Sequence, residues 1–322
     1  MNPIARTVPS RRQFLSGAGL ACMTAAMPAF AKDTCPFFGR GGHELGLQLF
    51  RLSEQVKADL QGSFAHLARL GYRAIETIAL NGHSAADLKA AADANGLKIR
   101  SSHVPGQFRF TPEDHTLQDN VPQIIDDLHT MGADKVVMAI PMVFDDIPPL
   151  GSDFFAKLVA RFNAFSETDW QRVAQFLNER GEMFRAAGIR MFYHNHNFEF
   201  APVEKTTGWD ILLRETDPEL VSFEMDAGWM AAAGLDPIAQ LAKAGKRVQM
   251  LHIKDIDPGM KPNFAAQQVP APLGAGVVDW PRLLKLADAL GVSGYFADLE
   301  PPFPNGPFAA FAETAAYLSA VR

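Results

Sequence analysis

Histidine and carboxylate side chains recur where short, β-rich apolar runs end: Glu76, His103, His194 with His196, Asp226, His252, and Asp298 with Glu300. One such residue alone is ordinarily a hydrogen-bonded structural group. Six run ends carrying them would, if the runs converge, crowd several negative charges into one pocket, and a divalent cation is the natural counter-ion. A mixed set of imidazoles and carboxylates suits Mn²⁺, Zn²⁺, Co²⁺ or Fe²⁺ better than Ca²⁺, which takes oxygen ligands. Left open on one side, such a centre polarises a carbonyl or hydroxyl and stabilises the enediolate formed when a neighbouring C–H loses its proton.

Convergence depends on the elements that carry these residues. From Glu44 onward, β-rich runs alternate with stretches of helical period. The strand expectations are Leu45–Phe50, Ala74–Ile78, Lys98–His103, Lys135–Ile140, Ile189–His194, Leu220–Asp226, Val248–Ile253 and Tyr295–Glu300. Helical stretches between them include Val56–Leu70, Ala85–Asn95, Leu117–Met131, Trp170–Ala187, Ile238–Ala244 and Trp280–Leu290. Gly71, Gly96, Gly132, Gly188 and Gly291 follow five of these stretches, where a left-handed stop is expected. Eight alternating units imply parallel pairing and closure into a single (β/α)₈ barrel over residues 32–322. An open doubly wound sheet is disfavoured, since no Gly-rich phosphate loop follows the first strand. The long connections, 141–168, 254–279 and 301–306, follow strands four, seven and eight, on the face where such barrels carry chemistry.

Composition narrows the partners. The 322 residues are 48% hydrophobic and carry a formal net charge of −6, with none of the basic excess that nucleic acid binding needs. Residues 1–31 read as a twin-arginine export signal: Ser10-Arg11-Arg12-Gln13-Phe14-Leu15, a weakly apolar stretch from Gly17 to Met27, and the small-x-small end Ala29-Phe30-Ala31. That stretch is too short and too rich in Gly, Ala and Thr for a lasting membrane span, which takes roughly twenty apolar residues. The mature chain is therefore expected in the periplasm without stable membrane insertion. Loss of the three arginines of that segment takes the charge from −6 to −9. Only Cys35 survives cleavage, so no intrachain disulfide is available. A homo-oligomer is compatible with the sequence.

Several motifs resemble one family. Gly46-Leu47-Gln48-Leu49, Leu70-Gly71-Tyr72 with Glu76, Tyr193-His194-Asn195-His196-Asn197-Phe198-Glu199-Phe200, Met225-Asp226-Ala227-Gly228-Trp229, His252-Ile253-Lys254-Asp255 and Gly276-Val277-Val278-Asp279-Trp280 together resemble the sugar phosphate isomerase/epimerase family, the xylose isomerase-like barrels. The resemblance implies a divalent metal held from strands five to eight, by His194, Asp226, His252 and Glu300. By strand alternation His196 shares a face with His194, and Asp298 with Glu300, so the ligand within each pair stays open. His196 is assigned as proton carrier, with Lys254 and Glu199 as further catalytic candidates. Gln48, Glu76, His103 and Trp229 are the substrate-binding candidates. Each has a plainer role available, as a barrel plug, a surface lysine, a loop carboxylate or packing.

Many relatives of this kind carry glutamate where His194 stands. Metal-bound imidazole cannot act as that glutamate does in ketose epimerases, which speaks against epimerisation at one carbon. The leading expectation is a metal-dependent isomerase or epimerase-like enzyme acting on a sugar or keto-sugar through a metal-stabilised enediolate. A keto-sugar lyase or dehydratase of the same fold, and a non-catalytic periplasmic sugar- or metal-binding protein, are the alternatives. A nuclease reading fails on the acidic charge.

Overall fold

Strand-forming runs that alternate with amphipathic helices bury both faces of a parallel sheet, and here that sheet closes on itself. A computed structural model of the chain describes residues 36–39, 42–109, 114–145, 147–148 and 151–322. The barrel strands are β1 (Gly46–Gln48), β2 (Ala74–Ile78), β3 (Lys98–His103), β4 (Lys135–Met138), β5 (Arg190–His194), β6 (Val221–Asp226), β7 (Val248–Ile253) and β8 (Gly294–Ala297). Neighbours in sequence are neighbours in the sheet, and β1 pairs in parallel with both β2 and β8 to close the ring. The (β/α)₈ expectation is met. The five helix-ending glycines all adopt positive φ, from 64° at Gly96 to 102° at Gly71, a conformation other residues adopt only at a cost.

Three differences from the sequence reading have local causes. The expected helix Val56–Leu70 is two helices, Ser53–Ala58 and Leu60–Leu70, because the Asp59 side chain accepts the Gly62 N–H and starts a new helix. The expected connection 141–168 contains the helix Phe154–Asn163, whose Phe162 packs on Phe198 at 4.9 Å beside the exit of β5. Strand β8 ends at Ala297, not at Glu300: the Asp298 N–H still reaches the Ile253 carbonyl, and pairing stops there.

Ala74, Val137, Phe192, Met250 and Phe296 fill one layer of the barrel interior, and the indoles of Trp170, Trp209 and Trp280 are fully buried. No described helix is long and apolar enough to cross a membrane. The expected export signal, residues 1–31, lies outside the described residues.

Candidate active site

Side chains alternate along a strand, so residues two apart from that apolar layer point the same way. From Ala74, Phe192, Met250 and Phe296 this step leads to Glu76, His194, His252 and Asp298; a further step leads to His196, Lys254 and Glu300. Going back two from Asp226 gives Glu224, which no sequence motif had marked. Two register shifts occur here, between Ile75 and Glu76 on β2 and between Phe223 and Glu224 on β6. In each case the neighbouring strand carries one extra residue, Arg100 on β3 and Gln249 on β7, beside a buried glutamate, and bulges re-aim side chains.

The inner tier is a network of hydrogen bonds. His103 Nε2 lies 2.9 Å from both Glu76 Oε1 and Glu224 Oε2. His252 Nε2 lies 2.7 Å from Glu76 Oε1 and 3.1 Å from Glu224 Oε2, and His194 Nδ1 is 3.1 Å from that same Glu224 oxygen. Ser101 donates to Glu76 at 2.5 Å. Burial raises Glu76, but the charges of His103 and His252 outweigh it and hold the carboxyl far below its usual range. Burial and the Glu76 charge likewise raise Glu224, and the surrounding imidazoles bring it down to about 2. Burial would discharge His103, yet Glu76 and Glu224 lift it to about 9, and they lift His252 well above its ordinary value. His194 is driven well below its own by burial and the His252 charge.

The outer tier is built differently. Asp226 ends β6 and caps the helix Ala227–Ala232, where its Oδ1 accepts the Trp229 N–H at 2.7 Å. Its backbone is clasped by Asn195, which accepts the Asp226 N–H and donates to its carbonyl. Asp226 Oδ2 is buried and makes no hydrogen bond, and neither does His252 Nδ1. These two atoms lie 3.8 Å apart, and Asp298 Oδ2 is 3.5 Å from His252 Nδ1. The Lys254 ammonium completes the group, 3.1 Å from Asp226, 2.5 Å from Asp298 and 3.4 Å from Glu300. Gly228 makes room for its stem, since a Cβ there would come within 2.6 Å of Lys254 Cγ. Burial would lower Lys254, but the three carboxylates raise it. Burial would raise Asp298, and Lys254 with His252 holds it well below the usual range. Burial raises Asp226.

Asp226 Oδ2 faces the Lys254 ammonium and His252 Nδ1 faces the carboxylates of Asp226 and Asp298, so these donor atoms point into one small space. Asp226, His252 and Asp298 offer three atoms within 4.8 Å of one another, and the mix of imidazole and carboxylate fits a divalent transition ion. His103, His194, Glu224 and His252 form a second such group, but their contacting atoms are already engaged with one another. Two of the four ligand candidates, Asp226 and His252, therefore meet in the outer group. His194 sits in the inner tier. Glu300 lies past the end of β8, where it pairs with Arg51 and Lys254, and Asp298 stands nearest His252.

A cavity of about 1170 Å³ opens above, lined by Gln48, His103, His194, His196, Trp229, His252, Asp298 and Glu300 among others. His196 stacks on Phe198 at 5.1 Å, lies 5.3 Å from Trp229, and keeps an unpartnered Nδ1. Burial and the Lys254 charge lower it to about 3, so it is a neutral imidazole with a free lone pair. Trp229 also carries the Lys254 ammonium over its ring at 5.1 Å. Glu76 is below the cavity and serves the inner tier. Glu199 is fully buried, accepting from the Tyr193 hydroxyl at 2.7 Å and the His196 amide at 2.9 Å, and burial raises it to about 8. It does not line the cavity, so its place is to hold the segment after β5 and not to meet a ligand. Asp255, next to Lys254, accepts from Gly274, Ile256, Val278 and the Trp280 indole and so shapes the long connection after β7.

A closed parallel barrel with a carboxylate–imidazole cluster at the strand ends that could hold a metal ion is an architecture shared by many (β/α)₈ proteins. The sequence profile of the xylose isomerase-like TIM barrel family matches residues 64–321, and the chain belongs to that family. It is similar to an inosose dehydratase of Clostridium beijerinckii, 25% identical over 69% of this chain and 76% of that protein. A second inosose dehydratase, from Bacillus cereus, is 28% identical over 52% of this chain and about half of its own length, 54%. Among solved structures, a sugar phosphate isomerase/epimerase from Parabacteroides distasonis is 25% identical with a TM-score of 0.65, over 87% of this chain and 100% of that one. The relatives are enzymes of small carbohydrates.

Proposed function

We propose that the protein is a divalent-metal-dependent dehydratase or lyase of a keto-sugar or keto-cyclitol. The observation that carries this reading is the cluster beside the cavity: Asp226 Oδ2, His252 Nδ1 and Asp298 within 4.8 Å of one another, with Lys254 against both carboxylates and an unpartnered His196 Nδ1. The names of the dehydratase relatives favour elimination over isomerisation. Asp226, His252 and Asp298 would hold the ion, which supplies a Lewis acid for the substrate's ketone. The chain's own residues do the rest. His196, neutral at physiological pH, takes the proton from the carbon next to the ketone. The C–H electron pair forms the new double bond, the hydroxyl on the next carbon leaves with its bonding pair, and His196 returns its proton to that oxygen, so water departs. Lys254 and the inner imidazoles balance the carboxylates around this exchange. His103 and Gln48, both lining the cavity, orient hydroxyls. Export to the periplasm by the twin-arginine route is part of the same proposal and rests on residues 1–31.

The test is to incubate metal-loaded protein with keto-inositols and keto-sugars in D₂O and follow both enone absorbance and C–H exchange. Enone formation with loss of water supports the proposal. Exchange without elimination points to an isomerase, and neither signal across a broad panel points to the binding-protein alternative.

A further inference from the structure

The floor of the cavity is polar, and its mouth sets a group of apolar side chains among polar ones such as Gln107, Lys261 and Gln268. Six large apolar side chains among the described residues are exposed, and three of them line this one cavity: Phe50 at 42%, Phe155 at 48% and Val269 at 53%. They come from three separate connections, after β1, β4 and β7. Phe108 and Phe154 join them in the lining, edge to face with ring centroids 5.0 Å apart. Leaving aromatic surface in water is unfavourable, and its concentration around one opening marks a place where something apolar binds.

Size and position say what kind of ligand. The volume of about 1170 Å³ lies above the range of roughly 300–1,000 Å³ usual for drug-sized ligands, far more than one sugar ring fills. Arg51 stacks over Phe50 at 4.6 Å and pairs with Glu300, which fixes the apolar mouth directly against the polar floor. Arg51 and Arg109, the arginines of the lining, are each paired with a carboxylate, Glu300 and Asp119, so a phosphate tail meets no open arginine there. Planar rings pack well against an edge-to-face aromatic pair.

We infer that the mouth is an aglycone subsite, and that the substrate is an aryl glycoside of a keto-sugar, whose ketone-bearing ring reaches the floor while its aromatic group rests among Phe50, Phe155, Phe108 and Phe154. This rests on the carbohydrate reading above and adds to it the second half of the ligand. The test needs no turnover, so it stands apart from the enone assay. Phenyl β-glucoside, methyl β-glucoside and phenol are titrated calorimetrically into the purified full chain with Mn²⁺ present. Phenyl β-glucoside is expected to bind about tenfold or more tightly than methyl β-glucoside, and phenol weakly. Phe155→Ala and Phe50→Ala, both at exposed positions that the fold tolerates, should each pull the phenyl-to-methyl ratio toward one. Equal affinity for the two glucosides, no binding of either, phenol binding as tightly as the phenyl glucoside, or a ratio unmoved by both variants would overturn the inference. Turnover of keto-sugars alongside any of these results would leave the enzymatic reading standing and remove only the aglycone subsite.

Discussion

The two charged tiers of the barrel both pair carboxylates with nitrogen groups and differ in what balances them: imidazoles in the inner tier, chiefly the Lys254 ammonium in the outer. In the inner tier Glu76, Glu224, His103, His194 and His252 spend their contacting atoms on one another at 2.7–3.1 Å. In the outer tier Asp226 Oδ2 and Asp298 Oδ2 face the Lys254 ammonium, while His252 Nδ1 and His196 Nδ1 make no hydrogen bond. His252 belongs to both: Nε2 faces the glutamates, and Nδ1 faces Asp226 and Asp298. A ring nitrogen hydrogen-bonded to carboxylate on one side makes the opposite nitrogen a better and better-oriented ligand. The inner tier is thus support, the outer tier the working surface.

The comparison breaks first at His196. His196→Ala should lower turnover by about 10²–10⁴-fold while leaving metal content unchanged, as measured by steady-state kinetics beside elemental analysis. Equal loss of metal would move His196 into the ligand set. Glu224→Gln attacks the support instead, leaving buried imidazoles without their shared negative charge. Gln keeps a carbonyl acceptor but not the negative charge that balances His103 and His252, and that loss should cost about 3–5 kcal/mol in denaturant unfolding and weaken metal binding about 10–100-fold.

The inner tier also sets a pH signature for the metal-free protein. Glu224 is lowered from 4.5 to about 2, so its contribution is complete above about 4.5 and is lost as pH falls toward 2. His103 is raised from 6.5 to about 9, so the same contacts are complete below about 6.5 and are lost as pH rises toward 9. Between about pH 4.5 and 6.5 both of these contributions are complete, and in unfolding free energy measured across pH Glu224→Gln should flatten both flanks relative to the unsubstituted protein. A smaller effect is expected at Gly228→Ala, where the new methyl presses on Lys254. A cost of about 1–3 kcal/mol fits such overpacking, with turnover falling as Lys254 shifts.

Much of this was legible from the sequence because it depends on local pattern. Strand–helix alternation and the helix-ending glycines are properties of neighbouring residues, and they located eight strands and their order. His103, His194, Asp226 and His252 were visible as polar residues ending apolar runs. Glu224 was not, although the two-residue step back from Asp226 along β6 was available to find it. Asp298 was considered and passed over for Glu300, because where β8 ends is decided by its pairing with Ile253 and not by its own composition. The helix Phe154–Asn163 was read as connection, since its apolar face makes sense only against Phe198. The aromatic mouth was invisible for a similar reason: Phe50, Phe155 and Val269 are far apart in the chain and meet only after the barrel closes.

The central claim is that a divalent ion sits on Asp226, His252 and Asp298. Titration of Mn²⁺ into the metal-free protein, read by calorimetry and confirmed by elemental analysis, tests it most directly. The account predicts one tight site per chain, abolished in Asp226→Ala and Asp298→Ala and retained in Glu300→Gln. Stoichiometric metal persisting in Asp226→Ala, or lost only with Glu300, would contradict it.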